Sequence, residues 1–192
     1  MSVYKKIKIK LEQLILDPNN PRISELNDNI IDEAIAHQDG VQEATKKKIK
    51  KIDEAHIDNL VDSIKTNGFI PINSILVKKC PHKDDIYMIV EGNCRATALK
   101  ILYNGHISGA EILDEEIKKS IEKIEVLLYQ GDDPNKAYQI QGISHLIGTK
   151  AWEPYPQAKF IKDKMDELGV DKPTEIGESF GLSPRKSTSL VA

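Results

Sequence analysis

Residues Val90 to Leu99 read Val-Glu-Gly-Asn-Cys-Arg-Ala-Thr-Ala-Leu. An apolar run from Ile86 to Val90 stops at Gly92, and helical spacing of Ala98, Leu99 and Leu102 follows. Strand, glycine, helix is the layout of an anion site. The first N–H groups of a helix have no partner within it, and the helix dipole adds partial positive charge there. Arg95 in the first turn contributes a planar cation suited to phosphate oxygens. Glu91 supplies one carboxylate, and a phosphate-bound Mg²⁺ takes only one or two from the protein. Cys94 reads as a small packing residue rather than a reactive thiol.

Several elements must position this turn. Lys6 to Leu11 alternates polar and apolar, the pattern of a half-buried strand. Leu14-Ile15-Leu16 follows, and then Asp17-Pro18-Asn19-Asn20-Pro21-Arg22, whose prolines and asparagines predict a shaped loop without regular structure. Residues 24–54 are polar and charged, with weak helical periodicity in Ile30, Ile31, Ala34 and Ile35, and read as an inserted helical excursion. Ile57, Leu60, Val61 and Ile64 form one apolar helical stripe, and Asn67-Gly68 ends it with a left-handed cap. Ile75-Leu76-Val77 is a buried strand, and Pro81 to Asp85 a hairpin turn. Asn104-Gly105 is expected to stop the helix that begins at the turn. A charged helix near Glu115 to Ile121, a strand at Ile124 to Tyr129 and a helix starting at Asp132-Asp133-Pro134 complete this part.

The composition is that of an ordinary soluble protein: 192 residues, 40% hydrophobic, 30% charged and a formal net charge of −3. No stretch approaches the roughly 18 apolar residues of a membrane helix, and the start lacks the apolar core of a signal peptide. Cys80 and Cys94 fit a reducing cytoplasm, and no zinc pattern accompanies them. Basic residues are local, chiefly Lys46 to Lys51, and such a run reads first as a solvated helix face.

Beyond Trp152-Glu153-Pro154-Tyr155-Pro156 a helix is expected from Gln157 to Leu168, ended by Gly169. Trp152 and Tyr155 read as packing at its start. Pro173 to Leu190 then has helix, tight turn, helix spacing, with Gly181 in the turn and Ser183 as N-cap. Ser183, Arg185, Lys186, Ser187 and Thr188 fall where a recognition helix meets phosphates and bases.

Taken in order, the pieces Leu-Val-Asp-Ser-Ile-Lys-Thr-Asn-Gly, Pro-Ile, the next strand and Val-Glu-Gly-Asn-Cys-Arg-Ala resemble the N-terminal domain of the ParB family, within the wider ParB/sulfiredoxin superfamily. The likeness covers residues 7–18 and 56–192 and leaves 24–54 as an extra. It implies an α+β fold, a small mixed sheet flanked by helices, over residues 1–150. An all-helical segment with a partial helix-turn-helix would occupy 151–192. The implied ligands are a nucleoside triphosphate, CTP or ATP, with Mg²⁺, and the implied partners are duplex DNA and a second copy of the chain. A partition-like protein or transcriptional regulator in the cytoplasm follows from the same likeness.

Carried over by residue, Gly92 matches the glycine of the family's Gly-Glu-Arg-Arg-x-Arg-Ala box and Arg95 its second arginine. Asn93, Cys94 and Thr97 stand where the family has glutamate, arginine and arginine, so two of three phosphate cations are replaced. Gly68 and Pro71 match the family's Gly-x-x-Pro side of the pocket. Ser144 and His145 fall near the Glu-Asn of its second segment. The likeness to NTP-hydrolysing relatives makes Glu91 a metal or catalytic candidate and His145 a catalytic one. Two other functions stay open: an enzyme on the same fold (NTPase, kinase or nuclease), and an interaction module that binds no ligand.

Overall fold

Lysines alternating with isoleucines make Tyr4–Lys10 a strand, β1, with Ile9 buried and the lysines in solvent. It lies at one edge of a sheet, antiparallel to Lys123–Tyr129 (β5), with Ile7 opposite Val126. Ile75–Lys79 (β3) runs parallel to β5, and Tyr87–Glu91 (β4) antiparallel to β3. The short Leu14–Ile15 (β2) pairs parallel with β4 at the other edge. Among the described residues the order is β1-β5-β3-β4-β2, a mixed sheet. The computed structural model describes residues 3–27, 29–71, 74–81, 83–131, 133, 136, 139, 142, 153–179, 182 and 184–191. Ser144, His145, Trp152, Ser183 and most of the helix expected after Asp133 lie outside them.

The chain divides into two units, Met1–Pro18 with Asn29–Asp132 and Asn19–Asp28 with Asp133–Ala192. In the first unit, helices Asp39–Ile52 (α1), Glu54–Asn67 (α2), Asn93–Ile107 (α3) and Glu115–Glu122 (α4) accompany the sheet. Its core holds Ile57 and Ile64 of α2, Leu99 and Leu102 of α3, Ile121 of α4 and the sheet residues Ile75, Val77, Ile89 and Val126, all fully or nearly buried. The expected stripe of α2 is therefore the buried one, although Leu60 and Val61 are only half-buried.

The charged segment before α2 is well anchored. Gln42 of α1 acts like a strand at the sheet edge: its Oε1 accepts from Leu16 N–H at 2.8 Å, and its Nε2 donates to Leu16 O at 3.0 Å and Ala36 O at 2.7 Å. Ile49 and Thr45 are buried beneath α1. Within the basic run Lys46 pairs with Glu43 at 2.6 Å and Lys50 with Glu54 at 3.7 Å, while Lys47 and Lys51 are exposed.

Three local expectations are corrected. Pro21–Leu26 is a 3-10 helix, capped by Asn20, whose side chain accepts from Arg22 N–H at 2.9 Å, so Pro21 opens regular structure instead of forbidding it. Gly68 has positive φ, 71°, but ψ 177°, so the chain leaves α2 extended rather than through a left-handed turn. Asn104-Gly105 does not end α3, which continues to Ile107. Gly105 is there because the returning chain crosses it closely: a Cβ would stand 2.8 Å from Glu111 Cγ, and Glu111 N–H donates to Gly105 O at 3.0 Å. The left-handed glycine is Gly109, at φ 77°.

The second unit is helical where described. Pro154–Leu168 (α5) starts earlier than expected because Pro154 and Pro156 occupy its first turn, where proline costs no hydrogen bond. Gly169, at φ 63° and ψ 35°, closes it as expected. Pro173–Ser179 (α6) and Pro184–Val191 (α7) pack with α5 around Phe160, Ile161, Ile176 and Leu182. The Pro21–Leu26 helix also packs on α5, with Ile23 fully buried. Among the described residues no helix is long and apolar enough to cross a membrane.

Candidate functional site: the Gly92 turn

Glu91 is the last residue of β4 and Asn93 the first of α3, so one residue must reverse the chain. Gly92 does this at φ 103° and ψ 23°, a conformation side-chain-bearing residues rarely adopt. The ladder is irregular just before it. Leu76 pairs with Glu91 but Val77 with Ile89, so β4 carries one residue more than β3 across that step. Such a bulge re-aims the end of the strand, where Met88, Ile89 and Val90 are all buried.

No side chain caps the start of α3, and no acidic residue lies in its first turn. The dipole end is therefore not offset from within the helix. The Arg95 guanidinium lies back over the turn, its Nη2 3.6 Å from Glu91 Oε1. Burial lowers the Arg95 pKa, and the neighbouring Glu91 carboxylate opposes that. Arginine stays charged in such a setting.

Asn93 and Thr97 lie one helical turn apart and are both buried. Asn93 Oδ1 accepts from Asp17 N–H at 3.1 Å, tying the turn to the end of the β2 segment. Asn93 Nδ2 and Thr97 Oγ1 are buried without a hydrogen-bond partner. Such atoms are uncommon in folded proteins and costly when nothing meets them. Cys94 Sγ donates to Asp53 Oδ2 at 3.9 Å, at the junction of α1 and α2, so the thiol faces a carboxylate.

Gly68 directly follows α2, and Pro71 lies four residues before β3. Gly68 lies against α4, where a Cβ would stand 3.1 Å from Ser120 Oγ, and Phe69 N–H donates to the same Oγ at 3.0 Å. Ile75, four residues after Pro71, presses on the turn itself, its Cγ1 3.1 Å from where a Gly92 Cβ would be. The structure thus brings together Glu91, Gly92, Asn93, Cys94, Arg95 and Thr97. Asp17, Asp53, Ile75 and Ser120 support them. None of these four carries a local sequence signal for that role, since each is defined by a contact distant in sequence. Among the described residues no three His, Cys, Asp or Glu side chains group as a metal site.

In the second unit, Arg185 and Thr188 are exposed on α7, and Thr188 Oγ1 donates to Pro184 O at 3.0 Å. Lys186 belongs to the same helix. Ser187 departs from expectation: it is fully buried against Gly177 of α6, so it is a packing residue and does not line an outer face.

Residues 24–113 match the ParB N-terminal domain family. The match runs through the segment set aside above as an excursion. Among solved structures, the chain is similar to the C-terminally truncated chromosome-partitioning protein ParB from Caulobacter crescentus complexed to the centromeric parS site. That likeness has 14% identity and a TM-score of 0.50, covering 96% of this chain and 70% of that one. The same Caulobacter crescentus protein complexed with CTP-gamma-S matches at 16% identity and a TM-score of 0.42, over 97% of this chain and 77% of that one. No curated protein matches the sequence. Over residues 24–113 the chain is therefore ParB-like. Its mixed five-stranded sheet with helices is the α+β architecture that the resemblance implies.

Proposed function

We propose that the chain is a ParB-like DNA-binding protein, partition-like or regulatory, whose Gly92 turn holds the phosphates of a nucleoside triphosphate. One observation carries this reading: an uncapped helix start behind Gly92, with Arg95 alongside and two buried polar atoms, Asn93 Nδ2 and Thr97 Oγ1, lacking partners. A phosphate oxygen is the acceptor that both the helix start and Asn93 Nδ2 would take. The resemblance to ParB nominates CTP, with ATP second. Glu91 would be the single protein ligand to a Mg²⁺ arriving with the phosphates, whose contribution is to neutralise their charge. With two of the family's arginines replaced by Cys94 and Thr97, the grip rests on Arg95 and backbone N–H groups. Affinity should then be weaker and more dependent on Mg²⁺ than a three-arginine box gives.

We assign DNA binding to α7 through Arg185 and Lys186, together with Thr188; Ser183, also expected to take part, lies outside the described residues. The likeness to a ParB bound to parS supports this at the level of fold.

The test is thermal unfolding with CTP and ATP, each with Mg²⁺, followed by duplex DNA titration across salt. A nucleotide at a hundredfold its Kd should add about 2.7 kcal/mol, or several degrees in Tm. Arg95→Ala should abolish that gain. Arg185→Ala should lower the slope of log affinity against log salt by about one. No shift with either nucleotide refutes the pocket, and no DNA affinity at low salt refutes the DNA reading.

A further inference from the structure

The first unit holds a cavity that no residue of the Gly92 turn lines. It has a volume of about 270 Å³ and lies between β2, the start of α1 and the later turns of α3. That is near the lower limit, about 300 Å³, of small-ligand pockets. Its apolar wall is Leu14, Ile15, Leu16 and Ile86.

We propose that this cavity binds a small organic anion, a carboxylate or phosphate ester, with Lys100 as its principal cation. The argument starts from which charges are already committed. Glu43 is paired with Lys46 at 2.6 Å, and Glu12 accepts from the Tyr103 hydroxyl at 3.0 Å. Asp39 is the first residue of α1, where the helix dipole accommodates a carboxylate. Lys100, on α3, lines the cavity with no ion pair or hydrogen bond among the described residues, and Lys83 lines it likewise. His37 is also among the lining residues, and its Nδ1 is buried without a hydrogen-bond partner. Two uncommitted cations and an unmet imidazole nitrogen, set in an apolar wall, complement one small anion.

The electrostatics agree with the geometry. Burial pushes the Lys100 ammonium down to about 8, Lys46 pushes the same way, and Glu43 and Glu12 only partly offset them. A lysine kept at such a cost is explained by a counter-charge that enters from solution. Gln42, locked on Leu16 and Ala36, fixes the wall on the α1 side.

The experiment is competitive acetylation of the intact chain near pH 8, read lysine by lysine by peptide mass spectrometry. Inorganic phosphate and succinate serve as probes, with chloride at equal ionic strength as control. Lys100 should acetylate several-fold faster than the exposed Lys162, because more of it is neutral. Phosphate or succinate should slow Lys100 several-fold while leaving Lys162 unchanged. Lys83→Gln should weaken that protection, and Arg95→Ala should leave it intact. Protection that is equal at Lys100 and Lys162, absent with both probes, or lost in Arg95→Ala while Lys83→Gln retains it in full would overturn the proposal. In the last outcome the anion sits at the Gly92 turn. A failure of the nucleotide reading leaves the Lys100 result unaffected, so the two are separable.

Discussion

The Arg95 guanidinium lies across the Cα of Gly92: a Cβ at position 92 would stand 3.1 Å from Nη2 and 3.4 Å from Nε. Gly92 is therefore required twice, once for its φ of 103° and once for the space the cation occupies. Gly92→Ala is expected to cost about 1–3 kcal/mol for the backbone conformation. It should also displace Arg95 from the helix start. Urea unfolding should show a lower midpoint with an unchanged slope. An unchanged midpoint would show that neither constraint holds.

Lys100 predicts a rise of stability with pH. It is held at about 8 in the folded chain against an ordinary 10.5. Between those values the unfolded chain binds a proton the folded chain does not, so stability climbs as pH increases through the window. Below about 8 both states are protonated, and the cost of burying the ammonium is fully present. The charged groups that act on Lys100 are Lys46 and Glu43 of α1 and Glu12 beyond β1, and Asp39, Lys83 and His37 line the same cavity. Lys100→Met keeps the buried stem and removes the charge. It is expected to stabilise the protein at neutral pH by on the order of 1 kcal/mol and to flatten the climb. Denaturant midpoints measured across the window decide this; an equally steep climb in the variant would assign it to another group.

Gly177 and Ser187 make a third case. A Cβ on Gly177 would run into Ser187 Oγ and stand 2.6 Å from Ser187 Cβ, and Ser187 is fully buried. Gly177→Ala is expected to destabilise the second unit by about 1–3 kcal/mol through overpacking. Ser187→Gly in the same chain should recover most of that loss. Limited proteolysis of the single and double variants reads it out. Equal cleavage of both variants would place the strain elsewhere.

Much of the first unit is legible in the sequence because its signals are local. Lysine-isoleucine alternation marks β1, the spacing of Ile57 and Ile64 marks α2, and Gly92 marks the turn. What is hidden depends on contacts between distant residues. Gln42 joins α1 to Leu16, next to the edge strand, by two side-chain hydrogen bonds and to Ala36 by a third, so a polar residue does what an apolar stripe would have announced. Gly105 looks like a helix stop because its packing partner, Glu111, belongs to the chain's return. Ser187 looks like a surface hydroxyl on an exposed helix, and only the glycine opposite it on α6 shows otherwise. At the turn, residue types were readable in advance. The unpartnered state of Asn93 Nδ2 and Thr97 Oγ1 was not, because it is a property of the fold around them.

The placement of Asn19–Asp28 in the second unit bears on how the chain folds. Pro21–Leu26 packs on α5, whose first residue is Pro154. As the chain leaves the ribosome, Ile23 is made early and waits for more than a hundred residues before its partner helix exists. Contacts that close so long a loop are slow to form. The first unit, whose strands and helices are nearly complete by then, is expected to fold while this strip of chain is still undocked. Synthesis is thus expected to impose an order: the sheet-bearing unit first, and the helical unit only after its distant N-terminal strip is recruited. A polypeptide stopped at residue 132 would leave that strip permanently without its helix, so neither unit can be isolated cleanly by a single cut.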